Sequence, residues 1–169
     1  MAGSLKTFDS LGGFSIGDVE MLSHDYNARN IHTFELKNQF YTDSKSTRYI
    51  LRGTNTAILS VNLVGDQIDL PQSSINFITA QIIAVNATNS GTFVAKFENC
   101  VTNDASGQVD TISSLETIIR DNIPVGETWT VQPFDDGASN KFSYSTVRGG
   151  TTTSIKWLAV VEVVSVAWA

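Results

Sequence analysis

The last stretch of the chain, Thr151 to Ala169, alternates side chains with a period of two, which predicts one long β-strand. One alternate set is wholly apolar: Ile155, Trp157, Ala159, Val161 and Val163. The other set mixes two charged residues with five apolar ones: Lys156, Leu158, Val160, Glu162, Val164, Val166 and Trp168. A strand face exposed to water usually carries fewer apolar residues than this second set contains. We therefore predict that the first set fills the core. We predict that Leu158, Val160, Val164, Val166 and Trp168 contact another copy of the chain.

From residue 56 onward the chain reads as strands separated by turns rich in Gly, Pro, Asn and Asp. Six strands are predicted before the last one: Thr56 to Leu63, Ile75 to Asn86, Thr92 to Thr102, Gln108 to Arg120, Glu127 to Phe134 and Lys141 to Val147. Only Gln108 to Arg120 is ambiguous, because its Leu and Ile spacing also fits a helical stripe. The pattern predicts an all-β fold, an antiparallel and jelly-roll-like β-sandwich spanning 56–169.

Residues 1–55 lack the regular alternation of strands and turns that is seen from residue 56 onward. Short apolar runs occur at Val19 to Leu22, Ile31 to Lys37 and Tyr49 to Leu51, with polar stretches between them. Two or three short strands with so few apolar residues do not offset the entropy of ordering a chain. We predict an irregular N-terminal arm over 1–55 that becomes ordered by docking on another structure.

Charge and composition disfavour several classes of partner. The net charge is −6, which disfavours the phosphate-neutralising surface of nucleic-acid-binding proteins and binding to anionic membranes. The apolar tail from Leu158 is too short for a membrane span and is interrupted by Glu162. The first ten residues lack a basic segment followed by an apolar run, so we expect synthesis in the cytoplasm. Cys100 is the only cysteine, and we interpret it as a small hydrophobe in a strand.

Catalytic residues are sparse. His24 and His32 are the only histidines, and Ser23, His24 and Asp25 are adjacent in a polar turn. Neighbouring side chains in such a turn point apart, and no GxSxG motif exists, so a Ser-His-Asp triad is not indicated. Asp110, Glu116 and Asp121 are acidic, but nothing in the sequence pairs them across a cleft as glycoside hydrolysis requires. We predict that the protein is not an enzyme.

The sequence indicates neither a metal site nor a glycosylation site. Asp135-Asp136-Gly137 offers carboxylates to Ca²⁺, but an Asp-Gly turn accounts for the same residues. We therefore predict no metal and no cofactor. Asn86-Ala87-Thr88 matches a glycosylation acceptor, and we interpret it as part of a hairpin loop.

Four aromatic residues could stack on a sugar ring: Trp129, Tyr144, Trp157 and Trp168. We interpret three of them as core or contact residues, and Trp168 as the main aromatic of the predicted contact between copies. The loop tips at Asn86 to Gly91, Asn103 to Gly107 and Asp135 to Asn140 are polar and lack aromatic residues. Polar tips without aromatic residues do not favour stacking on a sugar, so carbohydrate binding is the alternative function.

The order of these strands resembles a known family. The runs INFITAQIIAVN, NSGTFVAKFEN, TIIRDNIPVGETWTVQPF and NKFSYSTVRGGTTTSIKWLAVVEVVSV are similar to a β-sandwich module in virion proteins of tailed bacteriophages, especially cyanophages and other marine phages. A Trp follows a Gly turn at Gly126 to Trp129, and an aromatic strand follows Gly149 and Gly150. The run FSIGDVEMLSHDYNARNIHTFELKN looks like the N-terminal lead-in of phage fibre proteins.

The resemblance implies a structural protein of the virion, made in the host cytoplasm. Members of this family serve as fibre, collar or capsid-decoration components and are commonly homotrimers. For this chain the expected partners are copies of itself and, through residues 1–55, other virion proteins of the capsid, collar or tail. The alternative is a receptor-binding module that recognises host-surface glycan.

Overall fold

A computed structural model describes residues 14–16, 19–22, 33–37, 39–88, 90–137, 139–150 and 153–168. These residues form β-strands, turns and loops without a helix. The chain divides into two compact units, Met1–His32 and Thr33–Ala169. In the first unit, β1 (Phe14–Ile16) pairs antiparallel with β2 (Val19–Leu22).

The second unit contains two antiparallel sheets, and its strands are β3 (Thr33–Lys37), β4 (Ser44–Thr54), β5 (Ala57–Ile58), β6 (Ile68–Asp69), β7 (Ser74–Asn86), β8 (Thr92–Asn103), β9 (Val109–Asn122), β10 (Thr128–Asp135), β11 (Lys141–Gly149) and β12 (Ile155–Ala167). The large sheet has the order β3-β4-β12-β7-β8-β9. In the small sheet β10 pairs with one edge of β11, and the short strands β5 and β6 share its other edge. The predicted all-β antiparallel sandwich is confirmed.

The last strand lies in the middle of the large sheet. It pairs with β4 along one edge and with β7 along the other. Its predicted core residues, from Ile155 to Val163 at alternate positions, are all buried. The segment Gln108 to Arg120, whose apolar spacing also fits a helix, is a strand, because β9 pairs with β8 along its whole length.

Aromatic side chains fill the space between the two sheets. Trp157 of β12 packs edge-on against Phe93 of β8 and Trp129 of β10, with ring centroids 6.2 Å and 6.4 Å apart. Tyr144 of β11 lies 5.4 Å from the ring of Phe97. All five rings are buried. Such large apolar side chains contribute much of the hydrophobic stabilisation of a sandwich this size.

Buried polar groups tie neighbouring strands together. The Ser165 hydroxyl of β12 donates to Oδ1 of Asn76 on β7 at 2.6 Å. Nδ2 of Asn76 donates in turn to Ser74 Oγ and to the carbonyl of Val101 on β8. Because the Asn76 side chain has partners at both ends, its burial does not carry the penalty of an unpaired polar group.

The sandwich begins earlier than residue 56. β4 forms eleven register pairs with β12, and β3 pairs with the opposite edge of β4. Thr47 and Leu51 of β4 point into the core, whereas alternate positions carry Ser, Arg and Ile. A strand with one short buried face and a polar other face resembles a loop in sequence. The structure therefore places the boundary between residues 32 and 33, and docking by the N-terminal segment remains a prediction.

Candidate functional site: the outer face of the large sheet

The small sheet covers one face of the large sheet, and we refer to the opposite face as the outer face. It carries the even-numbered side chains of β12, because alternate residues of a strand point to opposite sides. Leu158 is half-buried there, and Val160, Val164, Val166 and Trp168 are exposed. The β12 residues predicted to contact another copy, Leu158, Val160, Val164 and Val166, therefore lie on one surface, and Trp168 follows directly after the strand.

One apolar cluster surrounds the end of β12. Val164 pairs with Phe77 of β7, and Val166 pairs with Ile75. Leu36 of β3 lies in the same cross-strand row as Val164, with one residue of β4 between them. All five side chains are exposed. An apolar group that continues across several strands is typical of a protein contact surface.

A second apolar cluster lies further back along the same strand. Leu158 pairs with Ile83 of β7, which pairs in turn with Val94 of β8. Val160 pairs with Ile50 of β4. Ile50, Ile83 and Val160 are each more than two fifths exposed, and Leu158 and Val94 are half-buried.

A polar belt separates the two clusters. Glu162 of β12 accepts a hydrogen bond from Ser46 at 2.9 Å and lies 3.4 Å from the Arg48 guanidinium. On β8, Lys96 and Glu98 form an ion pair at 2.6 Å. A shallow depression of about 380 Å³ is lined by Arg48, Thr79, Ala80, Gln81, Lys96, Val160 and Glu162. Exposed ion pairs of this kind stabilise the chain by only about 0–1 kcal/mol each, so the belt adds little to the fold.

The other candidate aromatic residues are structural. Trp129, Tyr144 and Trp157 are buried between the sheets. The Trp157 indole donates to the carbonyl of Asn55 at 2.9 Å, and the Trp129 indole donates to Glu127 at 2.8 Å. With both polar and apolar parts satisfied, these rings do not offer a stacking surface for a sugar. The interpretation of three of the four aromatic residues as core or contact residues is confirmed, and Trp168 is exposed.

The loop tips stabilise themselves. Asn86 Oδ1 accepts from the backbone N–H groups of Ser90 and Gly91, which closes the hairpin between β7 and β8. Asp104 accepts from the Ser106 hydroxyl and from the N–H groups of Gln108 and Ser106, and these bonds lower the pKa of its carboxyl. Such side-chain bonds to nearby backbone are the ordinary chemistry of turns.

Groups that bear catalytic or metal chemistry do not converge in the described part of the chain. No cluster of three or more His, Cys, Asp or Glu side chains occurs there. Asp135 accepts a hydrogen bond from Thr111 at 3.2 Å, and Gly137 has a φ of 59°, as expected of an Asp-Gly turn. His24 and His32 lie outside the described residues. Within those residues, the structure contains no helix long and apolar enough to span a membrane.

Part of the outer face was not predicted from the sequence. The β7 residues Ile75, Phe77 and Ile83 belong to a strand that is apolar on both faces, a pattern that predicts an inner strand, yet they are exposed. The β9 residues Leu115, Ile118 and Ile119 are also exposed, although β9 belongs to the same sheet. Both strands carry apolar residues on their two sides, and this pattern is the sequence signal that indicates a further partner.

Fold and site together define an antiparallel β-sandwich protein with an uncovered apolar sheet face. No family model matches the chain, and it matches no curated protein. Among solved structures it is similar to the tailspike protein gp49 of Acinetobacter baumannii bacteriophage Fri1, a capsular polysaccharide depolymerase. The two share 17% identity with a TM-score of 0.40, over 83% of this chain and 21% of that chain. This chain thus spans about a fifth of the tailspike's length, and so distant a likeness assigns neither family nor activity.

Proposed function

We propose that the protein is a structural component of a phage virion, of the fibre, collar or capsid-decoration type, which assembles as a homotrimer through the outer face of its large sheet. The observation that carries the proposal is the row of exposed apolar side chains along β12 and its neighbours. The virion setting rests on the resemblance of the strand order to phage virion proteins. The N-terminal segment supplies attachment to other proteins of the particle.

Burial of this face gives the assembly its free energy. A Val or Leu side chain stabilises a contact by about 1.5–3 kcal/mol when it passes from full exposure to full burial. Because the outer-face residues are partly covered in the single chain, each gains somewhat less than that. Several such side chains together exceed the cost of bringing subunits together.

The first test is Val160→Asp, which places a charge in the middle of the outer face. We expect wild-type protein to be trimeric by native mass spectrometry and the variant to be monomeric, since an unpaired carboxylate resists burial. Val160 is 43% exposed in the single chain, so the substitution leaves the fold intact.

The matched control is Val147→Asp. Val147 lies on β11 of the small sheet and is 47% exposed, so the same chemical change is made at equal exposure away from the outer face. This variant is expected to remain trimeric. A monomeric wild type, or a Val160→Asp protein of wild-type mass, contradicts the proposal.

Receptor binding is the second candidate. The depression in the polar belt favours it, because Arg48, Gln81 and Glu162 offer the donors and acceptors that sugar hydroxyl groups bind. Binding on a glycan array that is lost in Gln81→Ala, with the subunit mass unchanged, would support this function. A hydrolase is the weakest candidate, since the described residues include no histidine beside the serine hydroxyls that donate to carboxylates, Ser46 to Glu162 and Ser106 to Asp104.

A further inference from the structure

The edge strand β9 is exposed on both faces, whereas β7, β8 and β12 each have one buried face. It pairs with β8 and is the last strand in the order of the large sheet. Every residue from 112 to 122 is exposed, so both of its faces reach beyond the small sheet. Four large apolar side chains lie in that segment: Ile112, Leu115, Ile118 and Ile119. A long edge strand with apolar side chains on both faces is a surface for pairing with another chain.

Two β-bulges lie in the same segment of β9. The register between β8 and β9 shifts between Cys100 and Val101 and again between Val94 and Ala95. These shifts leave Ile112 and Ile119 of β9 without a paired residue on β8. Bulges re-aim side chains, and those that protect an edge against association commonly present charges. Isoleucine at both bulges instead adds apolar surface to the edge.

The charge of β9 is mainly acidic. Asp110, Glu116 and Asp121 are its acidic residues, and none of them forms an ion pair within the described part of the chain. Its only basic residue, Arg120, donates through Nε to Thr92 of its own sheet at 2.8 Å. The edge therefore presents isoleucine and leucine side chains together with free carboxylates.

The outer face has the opposite character around Leu158. Arg52 pairs with Leu158 across β4 and β12, and Lys156 is the next outward residue of β12. Among the described residues neither Arg52 nor Lys156 forms an ion pair, whereas Arg48 and Lys96 are paired with glutamates. The apolar cluster of Leu158, Ile83 and Val94 thus has free cations beside it, on a chain whose net charge is −6.

We propose that β9 of one copy docks onto the outer face around Leu158 and Val160 of a second copy. The inference rests on the proposed self-assembly and adds the identity of the docking element. The two surfaces match in chemistry, since one is apolar with carboxylates and the other is apolar with free cations. Because edge and face are different surfaces, the contact is heterologous, and repetition of it closes a ring such as a trimer when the rotation allows.

The test uses two variants that each lack one half of the contact. Ile118→Asp disables the β9 edge, and Val160→Asp disables the outer face. Ile118 is 53% exposed, so neither change disturbs the core. Each variant alone is expected to be monomeric. When the two are mixed, the intact edge of one meets the intact face of the other, and native mass spectrometry should show a 1:1 heterodimer and no larger species.

Controls and contrary outcomes separate the two proposals. Val125→Asp, in the turn just after β9 and fully exposed, should assemble like wild type. Leu115→Asp should repeat the result of Ile118→Asp, and circular dichroism should show wild-type strand content for every variant. If Ile118→Asp and Leu115→Asp keep the wild-type mass, or the mixture holds no heterodimer, the edge-to-face contact is overturned. If Val160→Asp keeps the wild-type mass, the proposed outer-face assembly itself fails.

Discussion

Tyr144 joins the two sheets through both halves of its side chain. Its ring packs against Phe97 and Phe142, and its hydroxyl accepts a hydrogen bond from Nδ2 of Asn99 at 2.6 Å. Burial raises the pKa of the phenol, so the hydroxyl is neutral at pH 7. The neutral hydroxyl accepts the amide N–H of Asn99 without placing a charge in the core.

Replacement of Tyr144 by Phe keeps the ring and removes this acceptor. Asn99 is fully buried, so its amide loses the partner that the structure gives it. We expect the free energy of unfolding to fall by about 1–3 kcal/mol, measured by chemical denaturation with an unchanged m-value. Tyr41→Phe, at an exposed position, is the control and should be neutral. A Tyr144→Phe protein as stable as wild type would show that the hydrogen bond contributes nothing net.

At the scale of an element, β4 shows how a polar segment becomes a sheet strand. Its buried positions include Thr47 and Leu51, and Gly53 follows on the same side. A Cβ atom at Gly53 would lie 2.5 Å from Cδ2 of Leu59 and 3.5 Å from Cβ of Ala57. The glycine is therefore needed for close packing of β4 against the segment that leads into the small sheet.

Gly53→Ala is accordingly expected to destabilise the sandwich. Leu59 is completely buried and cannot move aside freely, so the added methyl group should cost about 1–3 kcal/mol of unfolding free energy. The matched control is Gly149→Ala, where the nearest atom would be Cβ of Thr128 at 3.8 Å, an ordinary contact. Thermal melting of both variants checks the prediction, and equal midpoints would contradict it.

At the scale of the whole molecule, charge is unevenly distributed. The outer face carries more basic than acidic side chains: Arg48, Arg52, Lys96, Arg120 and Lys156 against Glu98, Asp110 and Glu162. The chain as a whole has a net charge of −6. Copies of one chain therefore attract each other where the outer face meets an acidic surface and repel each other elsewhere.

Charge reversal tests this distribution. Arg52→Glu with Lys156→Glu should weaken each contact by about 1–2 kcal/mol, roughly tenfold in the dissociation constant. Adding Glu116→Lys and Asp121→Lys to the same chain should restore the affinity, since the signs are then exchanged on both surfaces. Sedimentation velocity measures both effects. A fourfold variant as weak as the twofold one would remove the electrostatic part of the edge-to-face contact.

The sequence by itself determined the local features of this protein. The period of two fixed β12 and its core residues from Ile155 to Val163, because alternation is a property of the strand itself. The turns at Gly126 and Gly137 followed in the same way, since both have a positive φ that glycine adopts without strain. Those features need no knowledge of what lies across the core.

Only the tertiary structure decided which faces are covered. The period of two shows that β7 and β9 are apolar on both sides, but coverage depends on the width of the opposing sheet. Two full strands and two short ones face six, so Ile118 at the edge remains exposed. Phe77 is exposed because it lies on the outer face, which the small sheet does not cover. Likewise β4 became a strand because β3 and β12 pair with its two edges. Pairing and coverage join residues far apart in the chain, so no local pattern contains them.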